Sequence, residues 1–165
     1  MASINNQIYP SQFAKIKFDT THQQNGLISL KNFKKDSVIC HFSAAEILPY
    51  PSRYTVQVAD DKHIILAPLF LEYINHSCDP NCFFDTKEFV LRALKNIDSG
   101  EEFSFFYPST EWDMDEPFDC HCGTSNCHGQ IQGAKYLQEQ AFENYRFTEF
   151  ITQKLQKTIP HVFQY

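Results

Sequence analysis

Three thiols lie within eight residues of this chain. Cys120, Cys122 and Cys127 form a C-x-C-x4-C pattern, and Gly123 and small polar residues between them suit a tight loop. Three thiolates that converge on one point suit a tetrahedral zinc ion, with Zn–S distances of ~2.3 Å. The alternative is a loop of free thiols, but clustered cysteines in a reducing compartment favour metal binding. The cluster therefore predicts a structural zinc site.

A closed zinc site requires a fourth ligand. His121 and His128 are close in sequence, but each is adjacent to one of the three cysteines, which strains chelation of the same ion. Cys78 is the better candidate if the fold brings it to the loop. The remaining thiols, Cys40 and Cys82, lie in apolar surroundings and are expected to be small core residues.

A second reactive stretch runs from Tyr73 to Asn81 and contains an amide, an imidazole and a thiol directly after an apolar run. An apolar run that ends in polar groups is typical of a buried segment that delivers side chains to a site. A simpler alternative is an ordinary strand followed by an Asp-Pro turn. A third is a thiol hydrolase that uses Cys78 and His76, which binding of Cys78 to zinc would exclude.

The elements that must position these groups are short. Seven runs rich in Ile, Val, Phe and Tyr are separated by brief polar turns, which favours small, mostly antiparallel sheets over alternating strand and helix units. Farther along, apolar residues recur at four-residue steps from Ala134 to about Lys157, which predicts a C-terminal helix. The predicted strands are Gly26–Leu30, Ser37–Phe42, Tyr54–Val58, His63–Ala67, Phe70–Ile74, Glu88–Leu94 and Phe103–Tyr107.

The composition is that of a globular domain. The chain has 165 residues, of which 42% are hydrophobic and 15% aromatic, enough for the core of one domain. No apolar run reaches the roughly 18 residues that a membrane span needs, and residues 1–7 lack the charged and apolar regions of a secretory signal. We therefore expect no membrane partner and an intracellular, reducing location, in the cytoplasm or nucleus.

The charge of the chain is negative and uneven. A net charge of −6 argues against direct nucleic-acid binding, for which basic patches are the usual footprint. The segment from Asp98 to Asp119 contains eight acidic residues and no Lys or Arg. Such a run is usually a solvated face. The functional alternative is a negative field that attracts cations, such as a basic peptide or a positively charged cofactor.

Taken together, the motifs resemble those of SET-domain protein lysine methyltransferases. The run Asn75–Asn81 (NHSCDPN) resembles the central motif of that family, Gly100–Tyr107 (GEEFSFFY) its second motif (GEELTFDY), and Cys120–Gly129 its post-SET zinc loop. The resemblance implies a mostly β (β+α) fold of small curved sheets with a C-terminal pseudoknot. The implied units are a SET domain (14–108), a post-SET zinc-binding segment (116–132) and a C-terminal helical extension (133–165).

The resemblance also implies two bound groups, S-adenosyl-L-methionine (AdoMet) as cofactor and a zinc ion held by Cys78 together with Cys120, Cys122 and Cys127. Phe118 falls where the family closes over the cofactor. The family's Gly-x-Gly reads Gln24-Asn25-Gly26 here, which extends the implied cofactor site to this segment. The implied cofactor-binding residues are Gln23, Gln24, Asn25, Arg53, Tyr54, Asn75, His76 and Phe118.

The implied activity is methyl transfer from AdoMet to a lysine of a basic, histone-like protein or peptide. Tyr107 matches the catalytic tyrosine of the family, and Phe105 and Tyr54 match the substrate channel. Phe105 also matches the position where Phe or Tyr sets how many methyl groups are added. Because Phe lacks a hydroxyl that could hold a water beside the amine, we expect di- or trimethylation.

Three positions depart from the family pattern. Only the second glycine, Gly26, remains of the Gly-x-Gly, Phe106 replaces the Asp before the catalytic tyrosine, and Glu72 stands where many members have Arg. Each change could alter substrate or cofactor affinity. The alternative interpretation is therefore a SET-fold binding module that is catalytically weak or inactive.

Overall fold

The computed structural model describes residues 12–163, which form short strands with little helix. Two short α-helices follow the last strand, and single-turn 3-10 helices connect several elements. The strands and α-helices are β1 (Ala14–Asp19), β2 (Gln24–Ser29), β3 (Val38–His41), β4 (Ser43–Leu48), β5 (Thr55–Ala59), β6 (Lys62–Ala67), β7 (Asn75–His76), β8 (Cys82–Asp85), β9 (Val90–Ala93), β10 (Ser104–Phe105), β11 (Phe118–Asp119), β12 (Gln130–Ile131), α1 (Ala141–Asn144) and α2 (Glu149–Thr158).

The strands pair into small sheets. β1 and β2 form an antiparallel hairpin, and β4-β6-β5 and β3-β9-β8 are three-stranded antiparallel sheets. β11 and β12 also pair antiparallel, on either side of the cysteine-rich loop. The predicted mostly β fold of small sheets is therefore confirmed.

One apolar core lies between these sheets and fixes the segments that carry the reactive residues. Phe84 and Phe103 are fully buried in it, as is Cys82, and the Cys40 side chain packs at its edge, as predicted for these two thiols. Each fully buried Phe contributes roughly 1.5–3 kcal/mol to stability. Ile74, which immediately precedes β7, is also in this core, so the position of β7 is set by packing.

β7 and β10 form a parallel pair that joins the two motifs distant in sequence. Asn75 lies opposite Ser104 and His76 opposite Phe105. The segment around β10 is also hydrogen-bonded to β2, through the bond from Phe103 N to the carbonyl of Leu27. The segment therefore lies between β2 and β7, and its threading through a loop as a pseudoknot stays a prediction of the resemblance.

The predicted strand at Phe70–Ile74 is wrong, because a 3-10 helix occupies Leu69–Tyr73. Phe70 and Leu71 are both buried, and periodicity alone cannot separate a short buried helical turn from a strand. Three observed strands of four or more residues had no prediction, and neither did the two-residue strands β7, β11 and β12. In β4 five of six side chains are exposed, so the alternation that marks a strand is absent. The longer missed strands are Ala14–Asp19, Ser43–Leu48 and Cys82–Asp85.

The predicted continuous helix from Ala134 to about Lys157 is also wrong. The chain forms a 3-10 turn, then α1 and α2, with an extended break at Tyr145 (φ −124°, ψ 148°). Thr148 begins α2 as its N-cap, accepting a hydrogen bond from the N–H of Ile151. A Thr at an N-cap satisfies one of the free amides of a new helix, which favours a restart at this point. Among residues 12–163, no helix is long and apolar enough to cross a bilayer.

Candidate active site and metal centre

The four predicted zinc ligands converge. The Sγ atoms of Cys78, Cys120, Cys122 and Cys127 all lie within 4.8 Å of one another, and those of Cys78 and Cys120 are 3.9 Å apart. A tetrahedral zinc with Zn–S bonds of ~2.3 Å requires S–S separations of about 3.8 Å. The cluster therefore has the donor set and the spacing that zinc requires, and the fold supplies Cys78 from the end of β7.

Backbone amides support this cluster. The N–H of His128 lies 3.4 Å from Cys78 Sγ, and the N–H of Gly129 lies 3.5 Å from Cys127 Sγ. Although burial raises the pKa of Cys122, hydrogen bonds from Thr124 lower it to about 6. Amides and hydroxyls directed at sulfur stabilise the thiolate form, which is the form that binds a metal.

Tyr145, in the C-terminal extension, contacts and stabilises the thiol cluster. Its ring is stacked on Phe106, with centroids 3.7 Å apart and planes 8° from parallel. Its hydroxyl donates to the carbonyl of Cys78 (2.7 Å) and contacts Nε2 of His128 (3.0 Å). The departure at Phe106 therefore has a structural role, because the apolar ring provides the stacking surface. The imidazole of His128 contacts Tyr145 and is not among the four clustered ligands.

His76 connects the thiol cluster to the predicted catalytic tyrosine. Nδ1 of His76 accepts a hydrogen bond from the N–H of Tyr107 (3.2 Å), and Nε2 lies 3.3 Å from Cys78 Sγ. Burial lowers the pKa of His76 to about 3, so the ring is neutral. Because Nδ1 accepts from an amide, the single ring proton sits on Nε2 and points at the sulfur.

Tyr107 keeps its proton at neutral pH. Burial raises the pKa of Tyr107 to about 12, and its hydroxyl donates to the carbonyl of Ile74 (3.3 Å). The ring packs on Phe105, with centroids 4.6 Å apart, and Phe105 packs in turn edge-on against Phe84 at 4.9 Å. The phenol is therefore a fixed hydrogen-bond donor rather than a base.

One cavity of about 820 Å³ contains the predicted catalytic, cofactor-binding and channel residues. All eight predicted cofactor-binding residues line it, as do Phe105 and Tyr107. Cys120 and Cys122 lie at its wall, so the thiol cluster forms part of the boundary of the cavity. Pockets of 300–1,000 Å³ (roughly) are typical of sites for small molecules and cofactors.

Glu102 was not predicted as a site residue. The side-chain amide of Asn75 donates both to Glu102 Oε1 and to the carbonyl of Asn25, each at 2.9 Å. A Cβ on Gly26 would lie 2.6 Å from Glu102 Oε1. Only glycine therefore allows the carboxylate this close to β2, which explains the retained second glycine. A glycine inside a predicted strand was the available signal, since it often marks a close approach.

Glu111 was also missed, because the acidic run was interpreted as a single field. Its side chain is buried, and Oε1 accepts from the N–H of Gln57 (3.1 Å) and the hydroxyl of Thr110 (2.9 Å). Burial raises the pKa of Glu111 to about 7. Nothing in the sequence alone distinguishes this residue from its acidic neighbours.

The other acidic residues of the segment divide between two roles. Asp113 forms an ion pair with Lys135 at 2.9 Å, so its charge is locally neutralised. Outside this segment, Glu72 at the family's Arg position also lines the cavity, and burial raises its pKa. The acids of the 98–119 segment that line the cavity are Glu102, Glu111, Asp115, Glu116 and Asp119.

Comparison with known proteins agrees with this geometry. Residues 52–108 match the family model described as SET domain. Methyltransferase flvH of Aspergillus flavus is 44% identical over 77 residues, covering 46% of this chain and 43% of that protein. An H3 lysine-4 specific histone-lysine N-methyltransferase of Emericella nidulans is 39% identical over 64 residues, covering 34% of this chain and 5% of that protein. The chain thus matches less than half the length of either relative.

Solved structures support the same fold. The structure of KRYPTONITE in complex with DNA, an H3(1-15) peptide and SAH has a TM-score of 0.56 at 20% identity, over 72% of this chain and 29% of that one. At that identity the likeness concerns the fold alone. Residues 52–108 are therefore similar to a SET domain in sequence, and the chain shares the fold of this solved structure.

Proposed function

We propose that this protein is an AdoMet-dependent protein-lysine N-methyltransferase. The observation that carries the proposal is the single cavity, which brings Tyr107 and Phe105 together with the segments around Asn25, Arg53 and His76. These segments are far apart in sequence, and each was expected at the site from its motif. Methyltransferases among the relatives support the same reaction class.

The cofactor would lie against β2, β7 and the post-SET segment. The side-chain amide of Asn75 donates to Glu102 and to the carbonyl of Asn25, and Phe118 packs against His76, with ring centroids 5.6 Å apart. Arg53 lines the same cavity and offers the positive charge that a carboxylate group binds. When bound, AdoMet supplies an activated methyl group on a positively charged sulfur.

The residues of this chain would favour the neutral form of the substrate lysine amine and orient it. A free lysine has a pKa of about 10.4, whereas methyl transfer requires the neutral amine. Tyr54, Phe105 and Tyr107 line the cavity and would displace water around a bound lysine. Desolvation lowers the pKa of an ammonium group. The fixed hydroxyl of Tyr107 orients the reacting groups, which is where much of the acceleration arises.

Zinc would act structurally. The four clustered thiols would hold it as a closed site, with no open position for chemistry. Its binding energy would fold the loop between β11 and β12, and Phe118 at the start of that loop lines the cavity. Loss of zinc should therefore weaken AdoMet binding before it affects the core.

The substrate would be a basic, histone-like peptide. Asp115, Glu116 and Asp119 at the cavity provide the negative field that attracts it. The histone-lysine methyltransferases among the relatives favour the same substrate class. The expected absence of direct nucleic-acid binding rests on the net charge alone, and DNA is present in the KRYPTONITE complex. A nuclear or cytoplasmic location, expected from the clustered cysteines, agrees with this substrate and remains part of the proposal.

The test is transfer of radiolabel from AdoMet to a panel of histones and a cell extract, with wild type compared with Tyr107→Phe. We expect labelled protein from wild type, and at least ~100-fold less from the variant, with AdoMet binding changed by no more than a few fold. A wild type that binds AdoMet but labels nothing would favour the binding-module interpretation. A variant as fast as wild type would remove Tyr107 from the mechanism.

A further inference from the structure

Glu111 is a buried carboxyl group on the wall of the cavity. Its side chain lines the cavity that contains Tyr107, although the residue is only 7% exposed. Oε1 is used by Gln57 and Thr110, whereas Oε2 accepts no hydrogen bond from the described residues. Among the described residues, the fully buried side-chain polar atoms without a hydrogen-bond partner are His63 Nδ1 and Ser109 Oγ. Oε2 of Glu111 is not one of them, so this atom is not fully buried. Oε2 therefore keeps accessible surface, on a side chain that lines the cavity.

The position of Glu111 relative to Tyr107 is fixed by one turn of backbone. The N–H of Glu111 donates to the carbonyl of Tyr107 (3.1 Å), and the hydroxyl of Thr110, which donates to Oε1 of Glu111 (2.9 Å), lies 3.3 Å from the same carbonyl. Gln57 holds the carboxyl group from β5 on the opposite side. A group held from both sides loses little entropy when it binds a ligand.

A purely structural role would account for Oε1 of this carboxyl group but not for Oε2. β5 is at the edge of its sheet, so the N–H of Gln57 needs a partner, and Glu111 Oε1 provides it. A glutamine carbonyl would accept the same two hydrogen bonds without placing a charge in a buried site. Burial disfavours the charged form, which raises the pKa of Glu111. The hydrogen bond to the edge strand therefore does not require an ionisable side chain at position 111.

We propose that Oε2 of Glu111 binds the ε-ammonium group of the substrate lysine and accepts one of its protons before methyl transfer. This inference rests on the proposed function. The proton moves from lysine Nζ to Oε2, which leaves a neutral amine and a neutral carboxylic acid. The amine lone pair then forms the N–C bond while the C–S bond of AdoMet breaks, and its electron pair stays on sulfur. The positive charge passes to the methylated ammonium, and Oε2 later releases its proton to water in the cavity.

The charged and titratable groups around Glu111 are few. Tyr107 faces it across the turn and stays protonated, and Arg53 and Tyr54 share the cavity from the segment before β5. His63 lies on β6 opposite Gln57, and burial lowers its pKa, so it is neutral at pH 7. Arg53 is therefore the one cation among these groups, and an incoming ammonium has the Glu111 carboxylate as its counter-charge.

Two measurements on Glu111→Gln test the inference. The first is the affinity for a substrate peptide against the same peptide with norleucine, which lacks the ammonium group, in place of the target lysine. We expect wild type to prefer lysine by about tenfold or more, and the variant to lose that preference, because a hydrogen-bonded charge contributes about 1.5–3 kcal/mol. Equal binding of both peptides to wild type would overturn the inference.

The second measurement is the pH dependence of kcat/KM from pH 6 to 9.5. The variant should be about 100-fold slower than wild type near pH 7.5 and approach it at the alkaline end, where lysine loses its proton unaided. A purely structural role predicts no such recovery. Equal AdoMet affinity of the two proteins shows that the variant folds, and Glu143→Gln, an exposed change of the same charge, should behave as wild type.

The outcomes distinguish a failure of the proposed function from a failure of the role of Glu111. If wild type transfers no methyl group to any lysine peptide, the proposed function fails. If wild type methylates and Glu111→Gln has the same rate at every pH, only the role of Glu111 fails.

Discussion

Replacing Glu111 with Gln should remove one pH-dependent contribution to the stability of the fold. In the unfolded chain this carboxyl group has its ordinary pKa of 4.5, whereas burial raises the folded value to about 7. As the pH rises through this interval, the unfolded chain loses the proton first, so the free energy of unfolding of wild type falls. The stability is complete below the unfolded pKa and is lost as the pH passes the folded one.

The magnitude follows from the two pKa values. At about 1.4 kcal/mol per pKa unit, ionising Glu111 in the fold lowers the free energy of unfolding by about 3 kcal/mol above pH 7.5. Gln is neutral at every pH and keeps an oxygen for the N–H of Gln57 and the hydroxyl of Thr110. The variant should therefore exceed wild type by less than about 1 kcal/mol at pH 5 and by about 3 kcal/mol at pH 8.5.

Urea unfolding of zinc-loaded protein, repeated from pH 5 to 8.5, measures this difference. Groups that titrate in both proteins cancel in the comparison, and Glu143→Gln reports the effect of losing one exposed negative charge. The result that would refute the reasoning is a gap between variant and wild type that does not change with pH. Such a gap would mean that Glu111 has an ordinary pKa in the fold and is solvated there.

Three further predictions follow from the site. Phe105→Tyr should shift the products from di- or trimethyl-lysine to monomethyl-lysine, because one water held by the new hydroxyl contributes about 1 kcal/mol, a several-fold change per transfer step. Mass spectrometry of the products over time measures this shift. A wild type that stalls at monomethyl-lysine would contradict the prediction. Tyr145→Phe keeps the stack on Phe106 but loses the bond to the Cys78 carbonyl, so zinc should pass to a chelator several-fold faster, whereas the exposed change Tyr50→Phe should have no effect. Zinc content should be about one ion per chain, and a Cys78→Ser protein with unchanged content would show that this thiol is not a ligand.

The sequence predicted the proximity of residues that belong to local motifs. The thiols of the C-x-C-x4-C run were grouped from their spacing, and their Sγ atoms converge in the fold. Tyr107 was assigned from its family motif, and it lines the same cavity as Cys120 and Cys122. Cys78 lies 42 residues from Cys120, and its convergence with the loop depends on tertiary pairing that spacing alone does not contain. The family resemblance supplied that contact.

Glu111 and Tyr145 could not be found in this way, because their roles depend on burial and on partners distant in sequence. Glu111 accepts a hydrogen bond from Gln57 on β5, whereas Asp113, two residues later, accepts one from Lys135. Tyr145 is one of several apolar residues at helical spacing, which predicted a continuous helix. Its stacking on Phe106 and its bond to Cys78 outweigh that local preference and break the helix.

The most direct measurement of the central claim is the identity of the atom that receives the methyl group. Wild type and Tyr107→Phe are incubated with isotopically labelled AdoMet and histones, and the modified residues are located by tandem mass spectrometry. The account predicts labelled methyl groups on lysine Nζ with wild type and nearly none with the variant, although both proteins bind AdoMet. Label on another residue type, or equal lysine labelling by both proteins, would contradict it.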